Sequence, residues 1–559
     1  MLPILWGFVP IHKKVSEIIS VLSGARILSI LGTWGIILFF LSVWQIKWVS
    51  VDVDDFLGLT AHLPLTYWLG LGIITLCSLV LFLGTERRSS WMYVFILLIL
   101  GLYLFGIGVF AEENARAWSS YYPTAEAKNI LEDHRINLPS DLPLISYLNW
   151  PAFHLINVIL ISVTDIDLTV LLEYMPLFWV VFFVIVTFAL GQSLHATKNS
   201  AFLVSFLAIA MFWQIYSYYS PQSYAYLISL LLILIITGLK EVPQKYIAIF
   251  LSLSMLLISH FFYAVIFFFS VGVQMIRRHR FVVVIFIGGI FLIWYTYLSP
   301  VVFQTAVSKF ISSSVHVDAS LSTQFNKFTP KTEYKQIVDC FRFAYAGILG
   351  FFGAISLWRY QFKPLPDDVK RKVRDLLFWM LPALIFVAMD YGKEGFERVF
   401  LFCIVPMVGI ISLAISDRKI ITFLMVLVVI LHIPAHYGSD AFFQTHTQDL
   451  KGADFFASSL DGLEHEDIRY TFLPGGDRFV NYYDTDFVCA DFSSRHLLEI
   501  LRNKPITHVF DYYIEGVQTK NYLQYYGAEN PLHWYGYSED YQYDLSQIYE
   551  NGGTRIFQS

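Results

Sequence analysis

Apolar runs long enough to cross a bilayer, separated by turns that are basic at every second boundary, constrain this chain more than any other feature. A helix needs roughly 20 apolar residues to cross the hydrocarbon core, and somewhat fewer where neighbours shelter it. About thirteen such runs can be traced, at approximately 27–48, 65–84, 91–111, 170–192, 201–219, 223–239, 246–259, 261–276, 281–299, 337–358, 375–390, 399–415 and 420–437. The alternate turns hold Lys13, Lys14 and Arg26; Arg87 and Arg88; Lys198; Lys240 and Lys245; Arg277, Arg278 and Arg280; a run from Arg359 to Arg374; and Arg418 with Lys419. With thirteen crossings all of these turns fall on one face, and one helix more or fewer would scatter them. Basic turns stay in the cytoplasm, so the sequence predicts a cytoplasmic N-terminus, with outer loops at about 112–169 and 300–336 and the residues after 437 also outside.

The composition agrees with bilayer as the solvent: 56% of residues are hydrophobic and 15% charged, too little polar surface for a water-soluble globule of 559 residues. The net charge of −6, with its basic groups in short clusters between apolar runs, argues against a nucleic-acid partner. The first ten residues are apolar but precede Lys13 and Lys14, the reverse of a cleavable signal peptide, so the N-terminus is expected to be retained. Cys77, Cys340 and Cys403 sit in apolar runs and Cys489 stands alone, which suggests neither a disulfide framework nor a zinc site.

The expected fold is therefore an all-α polytopic membrane domain over 1–437, followed by a small extracytoplasmic α/β domain over 438–559. Within the first long loop, an amphipathic stretch from Thr124 to Asp133 and an apolar segment from Phe153 to Val163, too short to span, suggest helices lying along the interface. In the C-terminal part, Ser494 to Asn503 reads as a helix, while Ile506 to Tyr513 and Thr554 to Gln558 read as strands. The 246–276 pair would form a thin hairpin turning at Ser259 and His260.

The strongest candidate for chemistry is Glu112-Glu113-Asn114-Ala115-Arg116, where two carboxylates leave the third helix and open the long loop. A partly desolvated carboxylate there is a stronger base, able to take a proton from an acceptor hydroxyl while Arg116 or a metal holds its neighbour ionised. The plainer account is a solvated helix end. Lys393 and Arg398 break the charge rule by sitting on a short outer turn, which suits a contact to a lipid phosphate, a local salt-bridge network or snorkelling to lipid headgroups. His260, at an outer turn inside an apolar stretch, could meet a phosphate or sugar, or be a satisfied bundle histidine. Tyr219 and Gln222, with Tyr216 and Tyr218, could stack on a sugar or belong to an aromatic belt. Asp52, Asp54 and Asp55 form a DxD-like pattern that could hold a divalent cation, in a loop that is otherwise a short solvated turn. Asp165 and Asp167 repeat that spacing, and helix capping explains them as well. No nucleotide-binding loop is present in a credible context, so no nucleotide cofactor is expected.

The acidic pair followed shortly by Arg116 resembles the motif that opens the first outer loop of GT-C superfamily glycosyltransferases, in the group of protein O-mannosyltransferases and aminoarabinose transferases, with one extra residue of spacing. Ser120-Tyr121-Tyr122, Tyr147 to Pro151, Tyr219 to Gln222, Asp390 to Arg398 and the ending Ile548 to Phe557 are similar to related archaeal membrane proteins. Both acidic residues are Glu where the first is often Asp, and two helices precede the helix that would be first in the superfamily core. The resemblance implies a GT-C-like fold in the cell membrane and a donor sugar carried on dolichyl or polyprenyl phosphate. It further implies inverting transfer to a glycan, lipid or protein acceptor on the outer face, with Glu112 or Glu113 as base and Arg116, Lys393 and Arg398 at the phosphate. A transporter or flippase of a lipid-linked or polar substrate, and a glycan repeat-unit polymerase, are the alternatives.

Overall fold

Eight helices among the described residues of the computed structural model are long and apolar enough to cross a membrane. The description covers residues 24–51, 55–84, 88–136, 150–214, 218–300, 304, 333–384 and 395–459, with strand segments 468–472, 510–515, 546–550 and 555–558. In chain order, α1 (Ala25–Ile46), α2 (Leu65–Leu83) and α3 (Ser90–Ala111) precede α4 (Tyr121–Asp133) and α5 (Ala152–Thr164) of the long loop. Then come α6 (Leu168–Leu194), α7 (Lys198–Met211), α8 (Pro221–Gly238), α9 (Pro243–Leu257), α10 (Phe261–Arg277) and α11 (Phe281–Ile293). The last group is α12 (Glu333–Phe362), α13 (Asp367–Met380), α14 (Gly395–Ala414), α15 (Arg418–Tyr437), the short α16 (Asp440–Phe443) and α17 (Thr447–Ser459). The chain is a polytopic helical membrane protein.

Burial separates the centre of the bundle from its rim. In α3, 72% of the apolar window is buried, against 28% in α1 and 22% in α12, so α3 runs through the middle while α1 and α12 border it. The rim helices turn large apolar side chains outward, among them Trp34, Phe40 and Trp44 on α1 and Phe351 and Trp358 on α12. Water would not tolerate such continuous apolar faces, whereas lipid does.

Hydrogen bonds sort the helix ends into two sets. The Nζ of Lys198 donates to Arg88 O at 3.0 Å, Asn199 Nδ2 donates to Phe82 O and Gly84 O, and Lys372 Nζ reaches Leu194 O at 2.8 Å. Arg278 pairs with both Glu241 and Asp375. The described turns around Arg88, Lys198, Glu241, Arg278 and Lys372 thus gather at one end of the bundle. At the opposite end Trp48 N donates to Ala111 O, Ala152 N to Ile258 O, and Ala117 N to Phe443 O. That end carries the long loop and the candidate site.

Three helices differ from the sequence expectation. The run 201–219 is helical only to Met211, and the chain then unwinds through Phe212, Trp213 and Gln214; Ser220 and Pro221 start the next helix by capping it and fixing its first turn. Nearly all of α7 is buried, so this short helix is sheltered by its neighbours. The basic run before 375 is not a turn: α13 already begins at Asp367, and its α-helix gives way at Met380 to a 3-10 turn containing Pro382, which lacks the N–H that a helix needs. The expected residues 385–390 lie outside the described residues. In the long loop, α4 forms where the amphipathic stretch predicts a helix, but Tyr121, Thr124, Ala125, Ala127 and Ile130 are all buried, so it is packed in rather than laid on a surface. Helix α5 buries its first turn and exposes Ile159 and Val163 at its far end. The 246–276 hairpin is present as α9 and α10, turning at residues 258–260.

In the C-terminal part the described residues contribute β1 (Ile468–Phe472), β2 (Phe510–Glu515), β3 (Ser546–Glu550) and β4 (Arg555–Gln558), in the order β1-β2-β4-β3. The β1–β2 pair is parallel and the other two pairs are antiparallel, with Tyr513 opposite Phe557. Strands β2 and β4 fall on the two runs that read as strands; the helix-like run 494–503 lies outside the described residues.

Candidate active site at the end of the third span

Helix α3 widens into a π-helical turn over Leu102–Gly106 before it ends, a distortion frequent near functional sites. It stops at Glu112, whose backbone is extended, and Ala117 takes a left-handed conformation with φ 69°. The loop between them is held by the segment after the last span. Asn114 Nδ2 donates to Thr445 O at 3.1 Å and to Thr447 Oγ1 at 2.9 Å, and Thr447 Oγ1 donates to Glu113 Oε2 at 2.6 Å. Gln444 closes the other side, accepting from Val51 N at 2.8 Å and donating to Val49 O at 2.7 Å.

These anchors set the two glutamates in different environments. Glu113 is exposed and bonded to Thr447. Glu112 is 5% exposed, and neither of its carboxyl oxygens has a hydrogen-bond partner among the described residues. Its nearest cation is Arg116, whose Nε lies 3.7 Å from Glu112 Oε1.

Arg116 spends its stronger donors elsewhere. Its Nη2 donates to Asp440 Oδ1 in a very short contact and to His436 O at 3.3 Å, and its Nη1 donates to His436 Nε2 at 2.8 Å. The guanidinium also lies 4.8 Å over the Tyr437 ring. Because arginine only donates, His436 Nε2 must accept, so the imidazole is neutral with its proton on Nδ1, which donates to Trp213 O at 2.7 Å. Two buried carboxylates therefore share one guanidinium. Burial pushes the Glu112 carboxyl well above the usual range, the negative charge of Asp440 adds to that, and Arg116 pulls the other way. Burial also raises Asp440, against the pull of Arg116. The hydrogen bonds favour Asp440 as the ionised partner and Glu112 as the proton carrier.

Two glycines make this packing fit. A Cβ on Gly108 would lie 3.3 Å from Arg116 Cδ, Glu112 Oε1 and Tyr437 Cε1 alike. Gly58 has φ 54° and brings its backbone so close to the turn after α15 that a Cβ there would meet Tyr437 O at 2.5 Å. Only glycine takes that conformation and that approach without strain.

A second polar cluster is joined to the first through Trp213 and Gln214. The Trp213 ring packs 5.9 Å from Phe400 and carries the Arg342 guanidinium at 5.0 Å, while Gln214 Nε2 donates to Glu397 O at 2.5 Å. The next residue, Arg398, is 8% exposed, and its charge acts on His260. His260 stacks on Trp150 at 6.1 Å and meets the Tyr263 ring edge-on at 5.0 Å. Tyr219 is fully buried with its ring 4.7 Å from Phe153, and neither its hydroxyl nor Gln222 Nε2 has a hydrogen-bond partner among the described residues.

The structure thus gathers Glu112, Glu113 and Arg116 in one cluster, and His260, Arg398, Tyr219 and Gln222 around the neighbouring helix ends. Lys393, Asp52, Asp54 and Tyr216 lie outside the described residues. Among the described residues no group of three or more His, Cys, Asp or Glu side chains is placed to hold a metal ion. Asp167 caps α6 through Thr169 N at 2.8 Å, which accounts for that half of the second DxD pattern. Sequence reasoning missed His436 and Asp440. Their signal was His432 and His436 on one helical face at the end of the last apolar run, with Asp440 four residues beyond. Comparison of the sequence with protein-family models and with curated proteins yields no match.

Proposed function

We propose that this chain is an inverting glycosyltransferase that moves a sugar from a dolichyl- or polyprenyl-phosphate donor to an acceptor on the outer face of the cell membrane. The observation that carries the proposal is Glu112: a buried carboxylate without a hydrogen-bond partner, at the bundle end opposite the basic turns, beside a fixed guanidinium. Burial raises the proton affinity of such a group, so that its ionised form is a strong base. In the proposed reaction Glu112 takes the proton of the acceptor hydroxyl as that oxygen attacks the anomeric carbon. The bond from that carbon to the phosphate oxygen breaks on the opposite face, and the lipid phosphate leaves with the electron pair. Arg398 and Lys393 offset its charge, and His260, Tyr219 and Gln222 contact phosphate or sugar. Glu113 shapes the loop through Thr447.

In this proposal the basic end is cytoplasmic, with the N-terminus, and the bundle is GT-C-like with about thirteen crossings. The C-terminal strands belong to a small extracytoplasmic α/β domain that helps to form the acceptor site. A divalent cation at Asp52 and Asp54 is a secondary element of the proposal.

The test is incubation of the protein in nanodiscs with a lipid-phosphate sugar and a set of outer-face acceptors. Sugar-dependent release of lipid phosphate, with product of inverted anomeric configuration, is expected. A carrier is the second reading, favoured by His432, a histidine fully buried within α15. Flux across proteoliposomes without lipid-phosphate release would select the carrier and refute the transferase.

A further inference from the structure

Arg116 touches three acceptor groups, and the geometry ranks them. Asp440 and His436 take its two terminal nitrogens in hydrogen bonds, while Glu112 faces only Nε, at 3.7 Å and without a hydrogen bond. Neither holder belongs to the long loop. His436 lies in the last turn of α15 and Asp440 opens α16, 320 and 324 residues further along the chain. Asp440 is itself fixed, because Gly58 packs against the turn between them and would meet Asp440 N at 3.1 Å with a Cβ. On its other side, Arg342 from α12 donates to Ala435 O at 3.1 Å and to Ser439 Oγ at 3.0 Å, which locks the same turn.

We propose that Asp440 and His436 are positioning residues: by holding the terminal nitrogens of Arg116 they limit how strongly the guanidinium pairs with Glu112, and so keep Glu112 able to carry a proton. The catalytic consequence rests on the transferase proposal; the effect on Glu112 does not. Opposite charges at short range normally keep a carboxyl ionised by about 1–3 pH units. Here the second carboxylate absorbs that effect. The groups facing Glu112 are Arg116 on its own loop, Asp440 on α16 and Tyr437 on α15; His436 on α15 faces Arg116, Arg342 on α12 faces Asp440, and Glu113 points instead to Thr447. If Asp440 loses its charge, Arg116 has one carboxylate left to neutralise. Glu112 then ionises at lower pH and becomes a weaker base.

The experiment follows the infrared stretch of the protonated carboxyl in the full-length protein in nanodiscs, using the band that Glu112→Gln removes. Wild-type protein should lose this band well above the ordinary carboxylate range. In Asp440→Asn the midpoint should fall by about 1–3 pH units, and Asp440→Glu should restore most of it. His436→Phe, which frees one terminal nitrogen, should lower the midpoint by less, and it serves as the second probe if Asp440→Asn does not fold. Where lipid-phosphate sugar is turned over, the acid limb of kcat should move with the infrared midpoint. An unmoved midpoint in both variants overturns the inference and leaves the transferase proposal standing. A shifted midpoint in a protein that transfers no sugar supports the inference and removes its catalytic meaning.

Discussion

His436 accepts a hydrogen bond from Arg116 Nη1 at 2.8 Å, tying the end of the last span to the loop that opens after the third. Both groups are buried, so the bond is not exchanged for water when it breaks. In His436→Leu the donor on Arg116 stays buried and unpaired, a penalty of about 1–3 kcal/mol. His436→Gln keeps an acceptor and should recover most of it. Thermal unfolding of the two variants in nanodiscs checks the ordering; equal loss in both would mean that packing, not the hydrogen bond, sets the stability there.

A Cβ on Gly108 would press on Glu112, Arg116 and Tyr437 closely enough that these side chains must shift by a few tenths of an ångström. Valine there should cost about 1–3 kcal/mol through overpacking and displace Glu112 from its place beside Arg116. Transfer activity is expected to fall at least tenfold while the protein still inserts and purifies. Activity at the wild-type level in Gly108→Val would show that the position of Glu112 is not critical.

The pH dependence has a definite sign. Glu112 is raised above its ordinary value of 4.5, first by burial, so the folded protein binds a proton that the unfolded chain releases. Its contribution to stability is fully present below about 4.5, the unfolded value, and is lost as pH rises through the higher folded value. As a base it must be ionised, so kcat should rise with pH over that upper range. Glu112→Gln removes this contribution, and unfolding followed from mildly acidic to alkaline pH should then be flatter in the variant than in the wild type. Parallel curves would place the proton elsewhere.

Arg398 is nearly buried, next in the chain to the Glu397 carbonyl that Gln214 holds, and the proposal sets the donor phosphate there. Loss of one charge-assisted hydrogen bond, about 1.5–3 kcal/mol, corresponds to roughly a 10- to 100-fold weaker contact. Arg398→Gln should therefore raise KM for the lipid-phosphate sugar more than it lowers kcat, and Arg398→Lys should recover part of the binding. A change confined to kcat would move Arg398 away from the ground-state phosphate.

The sequence displays the spans because lipid demands long apolar runs and basic turns mark alternate ends, both local properties. It also displays Glu112 and Arg116, since charges where a span ends stand out against an apolar background. It does not display the length of α7, because the apolar run continues through Phe212 and Trp213 after the helix has unwound, and hydropathy alone cannot tell the two apart. Asp440 and His436 were overlooked for another reason. Polar residues after a span look like ordinary solvated ends, and their burial arises only when the fold brings them to a loop more than 300 residues earlier, at separations of 320 and 324. The difference between Glu112 and Glu113 has the same origin: the anchors at Thr445 and Thr447 turn one carboxylate out and leave the other inside.

The most direct measurement is the single-turnover rate of sugar transfer from a lipid-phosphate donor for Glu112→Gln and Glu113→Gln, each in nanodiscs and each shown to be folded. A positioned general base contributes about 10²- to 10⁴-fold, so Glu112→Gln should lose at least 100-fold while Glu113→Gln stays within about tenfold of wild type. Wild-type rates in Glu112→Gln would contradict the account, and so would a loss confined to Glu113→Gln.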